Sequence, residues 1–382
     1  MFKHLSILAL ASFALAQNET VPDLAAALNS TDELSTLQSV IPAGVLETLA
    51  GLTNITILAP SNSAFGKIDN ETLSGLTSNE GLLTALLQYH VLNGTFPSSA
   101  ITNTSAFVPT ALTNPLFTNV TGGQVVEGVT SGDNVVFYSG LLTNSTVTTA
   151  DVNFTGGVIH IIDTVLAIPE NTADTLSAAG LSSLRGAINA TNLFDTVNDT
   201  PDITIFAPNN EALQNIGSAL SNLSTEDITG ILTYHVVTQG GIGYSSTLEN
   251  GTTLTTANGE DLTITIGDGG IFVNNARVVA SDILIANGVV HVIDEVLNPS
   301  NATVADSTSD EGEPAFEGAS SVSDVPYTSG QPTPTTSINQ EATEAADPTN
   351  SAATSAGENA APRQTGAIGM GALFGAAAVY FL

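Results

Sequence analysis

Three short segments of this 382-residue chain occur twice, in the same order and at domain-sized spacing. Ile55-Thr56-Ile57-Leu58-Ala59-Pro60-Ser61-Asn62 returns as Ile203-Thr204-Ile205-Phe206-Ala207-Pro208-Asn209-Asn210, and Tyr89-His90-Val91 returns as Tyr234-His235-Val236. Gly157-Val158-Ile159-His160-Ile161-Ile162-Asp163 returns as Gly288-Val289-Val290-His291-Val292-Ile293-Asp294. The offsets are 148, 145 and 131 residues. A period of that size is far too long for a solenoid unit, so the chain carries two tandem copies of one domain. The falling offset gives the first copy 14 extra residues between its second and third segments, assigned here to the loop Asn103–Thr121.

Each segment has a physical reading. The Ile-Thr-Ile alternation suits a half-buried strand that Pro60 or Pro208 ends, after which Ser61 or Asn209 can cap a short helix. Leu82, Leu83, Leu86 and Leu87 lie at helical core spacing and lead into a strand expected to begin at Tyr89. Gly156-Gly157 and Asn287-Gly288 turn the chain into a strand that is apolar on both sides. Turn signals at Thr121-Gly122-Gly123, Gly132-Asp133 and Gly267-Asp268-Gly269-Gly270 divide a strand-rich middle. The start of the first copy reads as helical, with one helix beginning at Thr20 or Pro22 and another capped by Ser30-Thr31-Asp32. Each copy is therefore α+β, with N-terminal helices followed by a strand-rich half.

Composition excludes several functions. Five Lys and Arg face 37 Asp and Glu, a formal net charge of −32, so no basic stripe exists to bind nucleic acid. Only 11% of residues are charged and 42% are hydrophobic, so the chain is not a disordered polyacid. The absence of cysteine removes disulfide frameworks, thiolate zinc sites and cysteine nucleophiles.

The ends point to the secretory pathway. Residues 1–16 have a basic start at Lys3, a short apolar run and the small-residue exit Ala14-Leu15-Ala16, the layout of a signal peptide. Ala367–Leu382 is an apolar tail, preceded by a polar spacer and by small residues, the pattern of a glycosylphosphatidylinositol attachment signal over 360–382. Asn359, followed by two alanines, is the candidate attachment residue, with Gly357 second. A tail-anchored helix is disfavoured by Gly369, Gly371 and Gly375 and by the missing basic flank. Asn-x-Ser/Thr sequons stand at Asn18, Asn29, Asn54, Asn70, Asn93, Asn103, Asn119, Asn144, Asn153, Asn189, Asn198, Asn222, Asn250 and Asn301, which describes a glycosylated ectodomain. Some sequons are expected to be buried, Asn54 first, because it opens a core strand. Residues 300–359 hold Ser, Thr, Ala, acidic residues and spaced prolines without a period, and are expected to form an extended disordered stalk.

The Ala-Pro-(Ser/Asn)-Asn opener, the Tyr-His pair and the Gly-Val-(Ile/Val)-His-(Ile/Val)-Ile-Asp closer resemble the hallmarks of the fasciclin domain, in both copies. The resemblance places domains at 20–168 and 170–299. It implies a β-sandwich or wedge flanked by helices, used in cell adhesion and in matrix or wall attachment, without catalytic activity. It also resembles fungal cell-surface members of that family. Partners would then be wall or surface glycans and proteins, including a second copy of the chain, with the membrane reached through the lipid anchor and no cofactor. In relatives that bind integrins, an Asp-Ile pair precedes the third motif. Asp282-Ile283 stands there in the second copy and Asp151-Val152 in the first, as candidate partner-binding residues.

His90, His160, His235 and His291 all lie inside the repeated segments. A metal site would want three or four ligands, which neither cysteine nor a His-x-x-x-His spacing supplies. The favoured reading makes each histidine a buried imidazole that satisfies backbone groups, and makes Tyr89-His90, Tyr234-His235, Pro60 and Pro208 fold determinants. No nucleophile elbow, metalloprotease motif or phosphate loop is present. Three readings remain: a non-enzymatic adhesion or wall- or matrix-organising glycoprotein at the cell surface; a carbohydrate- or wall-active enzyme using a carboxylate pair; and a glycosylated spacer with no specific ligand, or a fasciclin-domain protein of a vacuolar membrane.

Overall fold

The computed structural model describes residues 21–333. The signal segment 1–16, the sequon at Asn18, the stalk beyond 333, the attachment residues Asn359 and Gly357 and the tail 360–382 lie outside the described residues.

The first copy contributes β1 (Ile55–Pro60), β2 (Val91–Asn93), β3 (Ala106–Pro109), β4 (Val125–Ser131), β5 (Asn134–Tyr138), β6 (Asn144–Phe154) and β7 (Gly157–Ile162). The second contributes β8 (Ile203–Pro208), β9 (Val236–Val237), β10 (Thr253–Thr255), β11 (Asp261–Gly267), β12 (Gly270–Val273), β13 (Ala276–Ile285) and β14 (Gly288–Ile293). The strand orders are β2-β1-β7-β6-β5-β4-β3 and β10-β11-β12-β13-β14-β8-β9, one topology written twice. Only β1 with β7 and β14 with β8 run parallel. Bridges Leu92–Thr110 and Val237–Thr256 bring the two edges of each sheet together. The class is α+β, as expected, and the two sandwich layers are halves of one sheet coiled on itself into a barrel-like form.

A repeated glycine permits the parallel pairing. A Cβ on Gly157 would overlap the Ile55 carbonyl oxygen, and one on Gly288 would overlap that of Ile203. Pro60 and Pro208 end their strands, and the next residues cap helices as the sequence predicts. Ser61 Oγ accepts from Ala64 N–H at 3.2 Å and Asn209 Oδ1 from Ala212 N–H at 2.8 Å. Asp23 caps the first helix, Leu24–Asn29, where Thr20 or Pro22 was expected. The strand expected at Tyr89 begins later. The helix Glu80–Tyr89 runs through that residue because His90 N–H still bonds the Leu86 carbonyl. Most of the extra length of the first copy lies between Thr110 and Gln124. Thr110 and Thr256 hold equivalent turns, each hydroxyl donating to the carbonyl of Gln124 or Glu260.

That longer loop docks the two domains. Asn119 N–H donates to the Ala286 carbonyl at 2.7 Å, and Thr121 donates through N–H and hydroxyl to the two carboxylate oxygens of Asp202 at 2.8 and 2.6 Å. Gln124 Nε2 donates to the Ile285 carbonyl at 3.1 Å. Phe107 stacks on Tyr244 with ring centroids 4.0 Å apart, beside an apolar cluster of Val125, Leu284 and Val289.

The expected disordered stalk is ordered over its first part. Residues 300–333 form a strap without regular secondary structure, laid across the second domain. Glu313 exchanges hydrogen bonds with Asn275, Ser183 Oγ donates to the Pro326 carbonyl at 2.6 Å, and Arg185 Nη1 donates to Gln331 Oε1 at 2.6 Å. Ala305 and Ala315 are buried, and Phe316, Ala319 and Tyr327 pack on the domain's apolar cluster. Average composition missed this, because a few apolar residues at irregular spacing enter notches left by glycines. A Cβ on Gly186 would overlap the Tyr327 carbonyl, and one on Gly217 would overlap Val322. The substitution Gly186→Ala should therefore lift the strap while favouring its own helix by about 1 kcal/mol. Limited proteolysis should then cleave within 320–333 faster than in the parent, with unchanged far-ultraviolet circular dichroism.

Candidate functional site

The histidines form one network, built twice. His90 follows the helix Glu80–Tyr89, and its Nδ1–H donates to the Leu86 carbonyl at 2.8 Å. Its Nε2 accepts from Leu166 N–H at 3.0 Å, pinning the segment that follows β7. His235 does the same with the Ile231 carbonyl at 2.8 Å and Leu297 N–H at 3.0 Å. The second pair sits in β7 and β14. His160 Nδ1 accepts from Asp151 N–H at 3.2 Å and its Nε2–H donates to the Phe96 carbonyl at 2.8 Å. His291 repeats this with Asp282 N–H at 3.2 Å and the Gly243 carbonyl at 2.8 Å. Each ring thus spends both nitrogens on backbone groups, which fixes its neutral tautomer and leaves no lone pair for a metal.

The tyrosines complete the frame. Tyr89 hydroxyl donates to the Val125 carbonyl at 2.9 Å, and Tyr234 hydroxyl to the Asp261 carbonyl at 3.0 Å, joining helix end to sheet. Sequence reasoning missed Asn62 and Asn210, the residues after the helix caps. Asn62 accepts from Thr36 N–H and donates to the Asp32 carbonyl, and Asn210 accepts from Ser183 N–H and donates to the Gly180 carbonyl. These asparagines hold the N-terminal helices onto the sheet. Their recurrence in the first repeated segment was the available signal.

The Asp-Ile candidates separate. Asp151 and Val152 are half-buried, and Asp151 accepts from both N–H and hydroxyl of Ser98. Asp282 and Ile283 are each 1% exposed, covered where the domains dock. Burial removes this pair from the partner-accessible surface that the resemblance implied for it. Asp151 and Asp282 both have positive φ, 60° and 61°, at a bulge in the long strand. Aspartate tolerates that left-handed conformation better than most residues, a local reason for its recurrence.

The sequons within the described residues lie outward. Asn29, Asn54, Asn70, Asn93, Asn103, Asn119, Asn144, Asn153, Asn189, Asn222 and Asn250 are exposed, and Asn198 and Asn301 half-buried. Asn54 is therefore not lost to the core as expected. It stands one residue before β1, with φ of 57° and its Oδ1 accepting from Thr95 N–H.

Little room exists for a substrate near the histidines. A cavity of about 30 Å³ adjoins His90 and one of about 50 Å³ adjoins His235, both walled mainly by Leu, Ile and Val. Among the described residues no group of three or more Asp, Glu or His could hold a metal ion, and no helix is long and apolar enough to cross a membrane.

A model of the fasciclin domain matches residues 32–169 and 179–299. The chain is 41% identical over 293 residues to the "Fasciclin-like arabinogalactan protein" of Arthroderma benhamiae, covering 75% of this chain and 68% of that protein. It is 30% identical over 276 residues to the "Fasciclin-like arabinogalactan protein elcF" of Phaeosphaeria nodorum, covering 72% and 88%. The solved FAS1 domain pair from the insect cell adhesion molecule Fasciclin I overlays with a TM-score of 0.34 at 23% identity, over 70% of this chain and 97% of that one.

Burial lowers the affinity of His90 and His235 for protons, from 6.5 to about 4. Between those values the unfolded chain binds more protons than the folded one, so stability is complete above pH 6.5 and falls as pH drops towards 4. The loss should reach about 3 kcal/mol for each ring by pH 4. Thermal melts from pH 7 to pH 4 should show it, and replacing either histidine by Phe should flatten that domain's dependence.

Proposed function

This chain belongs to the fasciclin-domain family, and on that premise we propose that it is a non-enzymatic glycoprotein of the cell surface that organises wall or matrix by adhesion. The observation that carries this reading is the saturation of the repeated motifs. Their histidines are spent on holding the fold, so what the protein offers to others is its outer surface. That surface is acidic and studded with sequons: 27 Asp and Glu lie in residues 18–299, against Lys67, Arg185 and Arg277. Partners would be neutral glycans, surface proteins or a second copy; polyanions would be repelled.

The paired-carboxylate enzyme gains no support from the fold. The two acids buried at the domain junction, Glu127 and Asp282, are 0% and 1% exposed and out of reach of a polysaccharide. The fungal relatives whose names include arabinogalactan protein support the glycoprotein reading. Anchoring through Asn359 or Gly357 and delivery by residues 1–16 complete the proposal, with the strap and the residues beyond it as the tether.

Treating intact expressing cells with phosphatidylinositol-specific phospholipase C should release a species whose mass drops on enzymatic removal of N-glycans. Cells carrying the protein should also aggregate or bind isolated wall material, and should lose that property after release. Retention of a form that outside-applied antibody cannot reach would place the protein on an internal membrane and sink the adhesion reading.

A further inference from the structure

Two carboxyl groups, one from each domain, lie buried where the domains dock, and neither is complete: Phe107, opposite Glu127 on the neighbouring strand, stacks on Tyr244, whose neighbour Ser245 bonds Asp282. Glu127, on β4, is 0% exposed; its Oε1 accepts from Ser105 hydroxyl at 2.5 Å, while Oε2 has no partner. Asp282, on β13, is 1% exposed; its Oδ1 accepts from Ser245 N–H at 2.9 Å, while Oδ2 has no partner. A buried acceptor left unmatched costs about 1–3 kcal/mol, and more when charged.

The internal repeat isolates what is special here. In the first domain Asp151 occupies the place of Asp282, and Ser98 that of Ser245. There the serine supplies both N–H and hydroxyl, so both carboxylate oxygens are matched. In the second domain the Ser245 hydroxyl does not reach Asp282, and Oδ2 is left for something else. Glu127 has no acidic counterpart. Tyr89 bonds the carbonyl of Val125 and Tyr234 that of Asp261, so the residue matching Glu127 on β11 is Thr263. The domain fold does not require an acid at that position.

No cation neutralises the pair. Among the described residues Lys67 bonds Asp163 and Thr164, Arg185 bonds the Ala173 carbonyl and Gln331, and Arg277 bonds the Gly269 carbonyl. The other groups facing the carboxyls are two phenols and one imidazole whose Nδ1 accepts a backbone N–H. Tyr138 adjoins Glu127, Tyr244 adjoins Asp282, and His291 faces the Asp282 backbone through Nδ1. Asp202, already bonded to Thr121, adds only further negative charge beside Tyr244. Two buried like charges without a counterion are resolved by sharing one proton.

We infer that Glu127 is protonated in the docked protein and donates to Asp282, so that one proton latches the two domains together and its loss releases them. The burial and the neighbouring Asp282 that force this also raise the Glu127 carboxyl from 4.5 to about 8. The sign follows. A domain pair that opens and hydrates Glu127 holds fewer protons than the closed one between pH 4.5 and 8. Opening is thus favoured by up to about tenfold per pH unit across that window, and levels off above it. Glu170, beside the docking contact to Ala286, is raised to about 7 by its own burial and Asp174 and titrates in the same range. A test must therefore act on Glu127 itself.

The chain has no cysteine, so a spin-label pair at cysteines introduced at exposed Ser78 and Glu226 reports interdomain distance cleanly. The parent background should give a narrow distance distribution at pH 5 that broadens by pH 9. Glu127→Gln, which donates a hydrogen bond at every pH, should stay narrow at both. Asp282→Asn, which removes the charge that helps raise the Glu127 carboxyl, should shrink the broadening or abolish it. A parent distribution unchanged from pH 5 to 9 would overturn the latch. So would a Glu127→Gln protein that broadens with pH as the parent does, which would assign the dependence to Glu170, or one that is broad throughout.

Discussion

Each domain depends on one contact, the parallel pairing of β1 with β7 and of β8 with β14. Paired residues lie 102 positions apart in the first domain (Ile55 with Gly157) and 85 in the second (Ile203 with Gly288), so the pairing closes a long loop at a real entropic cost. No disulfide offsets that cost, since the chain has no cysteine. Burial does instead, because β1, β8 and β14 are buried at every residue and β7 at all but its first. The two histidines of each domain then lock the closure, one tying the helix end to the segment after the last strand, the other tying that strand to the bulge beside it. Gly157 and Gly288 supply the space that lets the paired backbones approach.

This economy commits the repeated polar groups to the fold. Groups that elsewhere serve as metal ligands or general bases are committed to backbone partners, each ring matched at both nitrogens. At the junction between domains the longer loop of the first copy and an aromatic stack do the joining, beside two buried carboxyls. An arrangement stabilised by polar contacts and a modest apolar patch is one that solution conditions can shift more readily than either domain core.

Much of the domain was legible because repetition filters noise. A strand-ending proline followed by a capping Ser or Asn, and a histidine always beside the same neighbours, carry weight when they occur twice. The same logic would have exposed Asn62 and Asn210. Repetition was silent on features present once. The strap at 300–333 looked like a polar tether because its composition cannot build a core of its own; it is ordered because a finished domain presents notches at Gly186 and Gly217. Asp282 stood out through a resemblance that fits either copy, and only the docking of the domains sets it apart from the half-buried Asp151.

The sequence by itself determined the number of domains, their class and the absence of thiol chemistry, since these follow from local patterns and counts. Only the tertiary structure decided which carboxyl is buried, that residues 300–333 pack on the second domain and which sequons are exposed. Those properties belong to surfaces that exist only after folding, when residues such as Glu127 and Asp282, far apart in the chain, share one low-dielectric space.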